Sequence, residues 1–268
     1  MFKISQAQSN ALSCNVNEPY YIQKCPAPPP RLRCNSVLLL DLMEKYRVEP
    51  LNMVNFPLDT PFLPVDSRFK LFPPPVNTLL KQVVPSIKVT TVEADMLYGL
   101  IIDDLKDGFF TSLPRMNDMQ SIRDQSFDKS RKAYPAALFT PQHIPPDRLE
   151  EWYGNDGHTD AFRHAYWNAL MTKRFGSDFA EKFATAHEAV PGNPPGRMSM
   201  DLFNNAVGRQ IAVNNPFASD EQLADLIKAA VHNGDMVVIG KDGKPACSAS
   251  VSINDHGLVP VSAASGSQ

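Results

Sequence analysis

Proline placement constrains this chain more than any other feature. Residues 1–90 hold 13 of its 24 prolines, with runs at Pro28–Pro30 and Pro73–Pro75, whereas 160–174 and 199–213 hold none. Each proline removes a backbone donor and drives the preceding residue away from the helical region. The first third can therefore hold little regular structure. Ser36–Arg47, with Val37, Leu38, Leu40, Leu42 and Met43, reads as a helix within it. Next, Met96, Leu97, Leu100, Ile101, Leu105 and Phe109 recur at helical spacing and predict an amphipathic helix over Thr91–Phe110.

From Leu149 the signals are dense. Asp160–Arg174 lacks proline and glycine and stops at Gly176, a residue suited to a helix end. Asp178 with Glu181 predicts a helix start, and that helix runs to about Ala189. Pro191–Arg197 reads as a rigid loop and Ser199 as the opening of a helix to about Val213. Ser219 with Gln222 forms a capping box for a helix to His232. Met236–Gly240 and Lys244–Ser248, split by Lys241-Asp242-Gly243, predict a β-hairpin. The expected fold is mainly α: a compact helical domain with a small C-terminal β-hairpin and a proline-rich, irregular N-terminal half. Residues 1–140, with two helices, are expected to pack on the rest, since no Gly/Ser linker intervenes. Residues 141–250 carry the site, and 251–268 form a loosely ordered tail.

Charge excludes one large class of function. The chain is at −3, and residues 147–239 carry 8 Lys/Arg against 13 Asp/Glu. That balance disfavours a nucleic-acid partner held through phosphates. No apolar run approaches the roughly 20 residues of a membrane span, and the first residues lack a signal-peptide layout. Cys14, Cys25, Cys34 and Cys247 match no zinc pattern. Two readings stay open for them: reduced thiols, or a disulfide formed after export.

The chemistry lies between His158 and Arg209. Asp160, His164 and Asn168 fall at i, i+4 and i+8, stacking a carboxylate, an imidazole and an amide on one helix face. Phe179, Phe183 and His187 share the same spacing, so His187 should point inward, with Glu188 next to it. Asp201, Asn204, Asn205 and Gly208 gather on one side of the third helix. Buried polar groups on three helices must satisfy one another at a cost, and function is the usual reason to keep such a network. Arg163 is expected to cap a carboxylate or pair with Asp201, and Trp167, with Trp152, Tyr153 and Tyr166, could line a sugar or acyl groove.

Three strings, Asp160-Ala-Phe-Arg-His-Ala-Tyr-Trp-Asn168, Ala186-His187-Glu188 and Met200-Asp-Leu-Phe-Asn-Asn-Ala-Val-Gly-Arg209, resemble a bacterial domain found at the C-termini of polymorphic toxins and secretion-system effectors. The resemblance spans roughly residues 149–240 and implies a toxin, with a cognate immunity protein and secretion machinery as partners; it implies no reaction.

Two mechanisms fit the residues. One is a divalent metal on His164, His187 and a carboxylate among Asp160, Glu188 and Asp201, with Asp201 the favoured third ligand, activating a water. The other is a metal-free pair in which Asp160 orients His164 as general base. Arg163, Asn168, Asn204, Asn205 and Trp167 would bind substrate. No GxSxG, P-loop or GxGxxG string occurs. The expectation is an antibacterial effector made in the cytoplasm without a signal peptide and secreted into the target periplasm, where it hydrolyses peptidoglycan or phospholipid. The competing expectation is a non-enzymatic pore-former that uses Thr91–Phe110.

Overall fold

The computed structural model describes residues 33–34, 39–57, 84, 86–108 and 112–259. In chain order come helix α1 (Leu39–Lys45), strands β1 (Met53–Phe56) and β2 (Ile87–Thr90), and helices α2 (Thr91–Lys106), α3 (Pro114–Ala133) and α4 (Leu149–Gly154). Helices α5 (His158–Phe175), α6 (Ser177–Glu188), α7 (Pro195–Asn214) and α8 (Asp220–His232) follow, then strands β3 (Val237–Ile239) and β4 (Pro245–Cys247). The protein is mainly helical with a small antiparallel C-terminal hairpin, in which Val237 lies opposite Cys247 and Ile239 opposite Pro245. The runs Pro28–Pro30 and Pro73–Pro75, Cys14, Cys25, the start of Ser36–Arg47 and residues from 260 on lie outside the described residues.

Helices α5 and α7 form the centre, and one glycine sets their approach. A Cβ on Gly208 would stand 2.0 Å from the carbonyl oxygen of Ala165, so only glycine allows the two backbones to meet there. Around this crossing Phe162, Ala165, Ala169 and Met171 pack with Met200, Phe203 and Val207. Helix α8 adds Leu223, Ile227 and Val231, and all three β3 residues are fully buried. Burial of this apolar surface, at about 25 cal/mol per Å², is the main stabilising term.

The N-terminal residues that are described belong to the same core. Tyr46 meets the ring of Phe203 edge-on at 5.4 Å, and the Leu51 N–H donates to the Ala189 carbonyl at 2.8 Å. Cys34 is bonded to Cys247 across a separation of 213 residues, which ties this region to β4. Helix α2 opens with a reciprocal capping box between Thr90 and Glu93 and buries Met96, Leu97, Leu100 and Ile101.

Several local expectations need correction. Helix α3 carries almost no apolar stripe, so periodicity misses it. It forms because Pro114 presets the first turn and the buried Asp104 accepts the Arg115 backbone N–H at 3.0 Å and its Nη1 at 2.8 Å. The third site helix begins at Pro195, not Ser199, because proline fits the first helical position. Asp178 and Glu181 make no cap, since α6 starts one residue earlier, directly after Gly176 at φ +91°. Helix α2 ends at Lys106 rather than Phe110, where Gly108 turns the chain at φ +84°. The segment 251–259 is packed rather than loose: His256 stacks on Trp152 at 4.0 Å, and Val259 N–H donates to Asp156.

Candidate active site

The loop between α4 and α5 organises the site. Asp156 sits there at φ +66°, a conformation that Asp tolerates better than most residues, and is fully buried. Its carboxylate takes a bidentate pair from Arg197, Nε and Nη2 each at 2.8 Å, and a third bond from Val259 N–H at 2.9 Å. Its carbonyl accepts from Ile239 N–H at 2.8 Å, and its own N–H donates to Asp160 Oδ2 at 2.7 Å. Asp156 thus fastens the start of α7, the hairpin and the tail to the first turn of α5. Gly157 follows because a Cβ there would lie 2.4 Å from the His256 ring.

One turn along α5, Asp160 also accepts from Arg163 Nη2, while Arg163 Nη1 donates to Gly154 O at 2.9 Å and its plane covers Phe127 at 4.8 Å. Burial alone would raise the Asp160 carboxyl; the charge of Arg163, with the neighbouring His164 ring and the Asp156 N–H, outweighs it and holds the group below the usual carboxylate range. His164 lies next on the same face. Its Nε2 is 3.4 Å from Asp160 Oδ1 and 3.6 Å from Asp201 Oδ1, and its Nδ1 is 3.5 Å from Glu188 Oε1. These are close charge contacts rather than good hydrogen bonds. Arg163 Nη2 stands 3.3 Å from His164 Nε2. Guanidinium only donates, so this contact has Nε2 accept and aims the ring N–H, on Nδ1, at Glu188.

Asp201 behaves differently from Asp160. It lies wholly inside, beside Asp160, Glu188 and Asp156, and desolvation followed by these like charges raises its carboxyl well above the ordinary range. The site thus presents an imidazole between one carboxyl whose surroundings favour the anion and one whose surroundings favour the proton. His164 Nδ1, Glu188 Oε1 and Asp201 Oδ1 are buried without hydrogen-bond partners. Each such atom costs about 1–3 kcal/mol unless something meets it.

The expected site residues divide in two. Asp160, His164, Glu188 and Asp201 come together from α5, α6 and α7, with Arg163 on Asp160 rather than Asp201. His187 does not join that donor group. Its side chain is 50% exposed and turns to Glu93 on α2, while Ala180, Phe183, Ala184, Ala186 and Glu188 are the buried positions of α6. The expected ligand set of His164, His187 and Asp201 is therefore not assembled. Asp160, His164 and Asp201 do offer donor atoms within 4.8 Å of one another. Arg163 already touches two of those three donors, so a fixed cation stands where a metal would bind. The residues do not fit a metal well.

Asn168, Asn204 and Asn205 are fully buried and serve the α5–α7 contact and the hairpin. Asn204 clamps the Val237 backbone, donating to its carbonyl at 2.8 Å and accepting its N–H at 2.9 Å. Asn168 donates to Asn205 Oδ1 and accepts from Arg209 at 3.0 Å. This corrects their expected place at a substrate surface. Of the four expected groove aromatics, Trp152 and Tyr166 are buried and Tyr153 donates to the Tyr134 carbonyl at 2.8 Å. Trp167 remains, half-buried, with its Nε1 unpartnered and its ring 6.4 Å from His164 and 5.2 Å from His187.

Sequence reasoning missed Asp156, Arg197 and Glu93. The Thr90-x-x-Glu93 pattern marks a helix start and could have placed Glu93, though not its second bond to His187. Nothing local singles out Arg197, whose partner lies 41 residues away.

Residues 125–235 match the family model described as a domain of unknown function, DUF6973. No curated protein and no solved structure matches the chain. The matched stretch includes every site residue on α5, α6 and α7 but neither α2 nor the hairpin.

Proposed function

We propose that the protein is a secreted antibacterial effector that hydrolyses a bond in the target cell envelope, in peptidoglycan or phospholipid, by general acid–base catalysis. One observation carries the reading: His164 Nε2 stands 3.4 Å from Asp160 and 3.6 Å from Asp201, two carboxyls whose surroundings push them in opposite directions, Asp160 down and Asp201 up. Paired titratable groups pushed apart by their surroundings mark acid and base roles. His164 and Asp201 form the acid–base pair at the reacting bond, with Asp201 as acid toward the leaving group, and Glu188 orients Nδ1 of His164 in place of the expected Asp160. Contacts of 3.4–3.6 Å are of the kind that tighten when substrate arrives.

Two further observations support it. The Cys34–Cys247 disulfide suits an oxidising compartment outside the cytoplasm. Against a pore, no helix among the described residues is long and apolar enough to cross a membrane, and the apolar residues of α2 are spent in the core. A cognate immunity protein and secretion machinery are the partners this reading entails.

The test is mass spectrometry of lipids and muropeptides from cells expressing the protein in the periplasm. The wild type should release a defined product, and His164→Ala should abolish it with the protein still folded. Dye release from liposomes without any lipid or muropeptide product would refute hydrolysis.

A further inference from the structure

We propose that Glu93 and His187 form a substrate-facing proton-transfer dyad, so that α2, outside the matched domain, completes the active site. The inference rests on the hydrolase reading above and assigns its outward-facing base.

The geometry is that of an oriented imidazole. His187 Nδ1 lies 2.9 Å from Glu93 Oε1, a good hydrogen bond and shorter than any contact His164 makes to a carboxylate. Glu93 is itself fixed: it is buried, and its Oε2 accepts the Thr90 N–H at 2.7 Å within the capping box. Among the described residues nothing hydrogen-bonds His187 Nε2, and half of the side chain is open to solvent. A ring held at Nδ1 by a buried carboxylate and free at Nε2 is arranged to take a proton from a bound water. His164, at 9% side-chain exposure and with Arg163 against its Nε2, is far less accessible to a bulky substrate. Both imidazoles contact the Trp167 indole, so the dyad belongs to the same site.

The protonation states agree with that geometry. Desolvation opposes charge on the buried Glu93 and on the packed side of the His187 ring, yet their hydrogen bond and attraction hold Glu93 below the usual carboxylate range and, with the Glu188 charge, raise His187. A plain tether between α2 and α6 would need neither a half-exposed ring nor an unengaged nitrogen. In the step assigned here, a water oxygen bonds to the electrophilic carbon or phosphorus as its proton passes to His187 Nε2. The leaving group departs with the bonding electrons and takes a proton from the His164–Asp201 pair. The proton on His187 then returns to that pair through water.

The experiment uses the full chain expressed in the periplasm, with envelope products quantified by mass spectrometry and folding followed by thermal midpoint. His187→Gln should lower product formation at least ~100-fold, the usual scale for losing an acid–base group, with the midpoint unchanged. Glu93→Gln should lose activity too, and Glu93→Asp, which keeps the carboxylate, should restore part of it. Product formation by His187→Gln above about one third of wild type overturns the proposal. If the wild type yields no product, hydrolysis fails by itself, and ¹⁵N NMR of neutral His187 decides the dyad. An Nδ1–H tautomer supports it; the Nε2–H tautomer, preferred by free histidine, overturns it.

Discussion

Replacing Asp201 by asparagine separates stability from function in a direction that few active-site substitutions share. The folded protein holds the Asp201 proton more tightly than the unfolded chain does, because the group is desolvated beside Asp160, Glu188 and Asp156 and its carboxyl is raised well above the ordinary value of 3.8. Between that pH and the raised folded value the folded state binds more protons than the unfolded state. Stability therefore falls as pH rises, at up to about 1.4 kcal/mol per pH unit, until the buried group itself ionises. An asparagine at this position would be neutral in both states and escape this penalty at similar volume. Urea denaturation from about pH 5 to 8 should show Asp201→Asn at least as stable as the wild type, with the gap widening toward alkaline pH. Product formation should drop about 10²–10⁴-fold because an acid is lost. Parallel pH–stability curves, or an active variant, would refute the assignment of a protonated Asp201.

Other outcomes follow from the same structure. Burial holds the His158 imidazole down to about 4, so between pH 6.5 and about 4 the unfolded chain takes up a proton that the folded one refuses. The wild type should lose roughly 3 kcal/mol across that window, and His158→Gln should flatten the acid limb. Asn204→Ala strands both polar groups of Val237 and should cost about 1–3 kcal/mol per group in chemical denaturation, with specific activity of the folded protein retained. Cutting the Cys34–Cys247 bond by Cys247→Ser frees a loop of 213 residues, and the denaturation midpoint should fall by an amount equivalent to about 2–5 kcal/mol. Chelator should leave both product formation and thermal midpoint unchanged, since Arg163 fills the one donor cluster found among the described residues; loss of both would restore the metal mechanism.

The sequence by itself determined the helical class and the hairpin, and it placed Asp160 and His164 on one helix face, because each is written in local spacing. Periodicity of 3.6 residues places a face, and the side chains that share it meet whatever lies opposite. The capping box at Ser219/Gln222 is legible for the same reason. The sequence said nothing reliable where partners come from afar. Asp156 becomes the hub only because Arg197, Ile239 and Val259 arrive there from three separate segments. Asn204 reads as a site amide until the hairpin docks on it. His187 follows an apolar stripe, yet on α6 it is Glu188 that is buried, and the imidazole is half-exposed and bonded to Glu93, 94 residues away. Which carboxyl holds its proton was also beyond the sequence, since Asp160 and Asp201 have the same side chain. Asp160 draws Arg163 from its own helix, three residues on, whereas tertiary packing left Asp201 dry among like charges, and that difference pushes the two carboxyls in opposite directions.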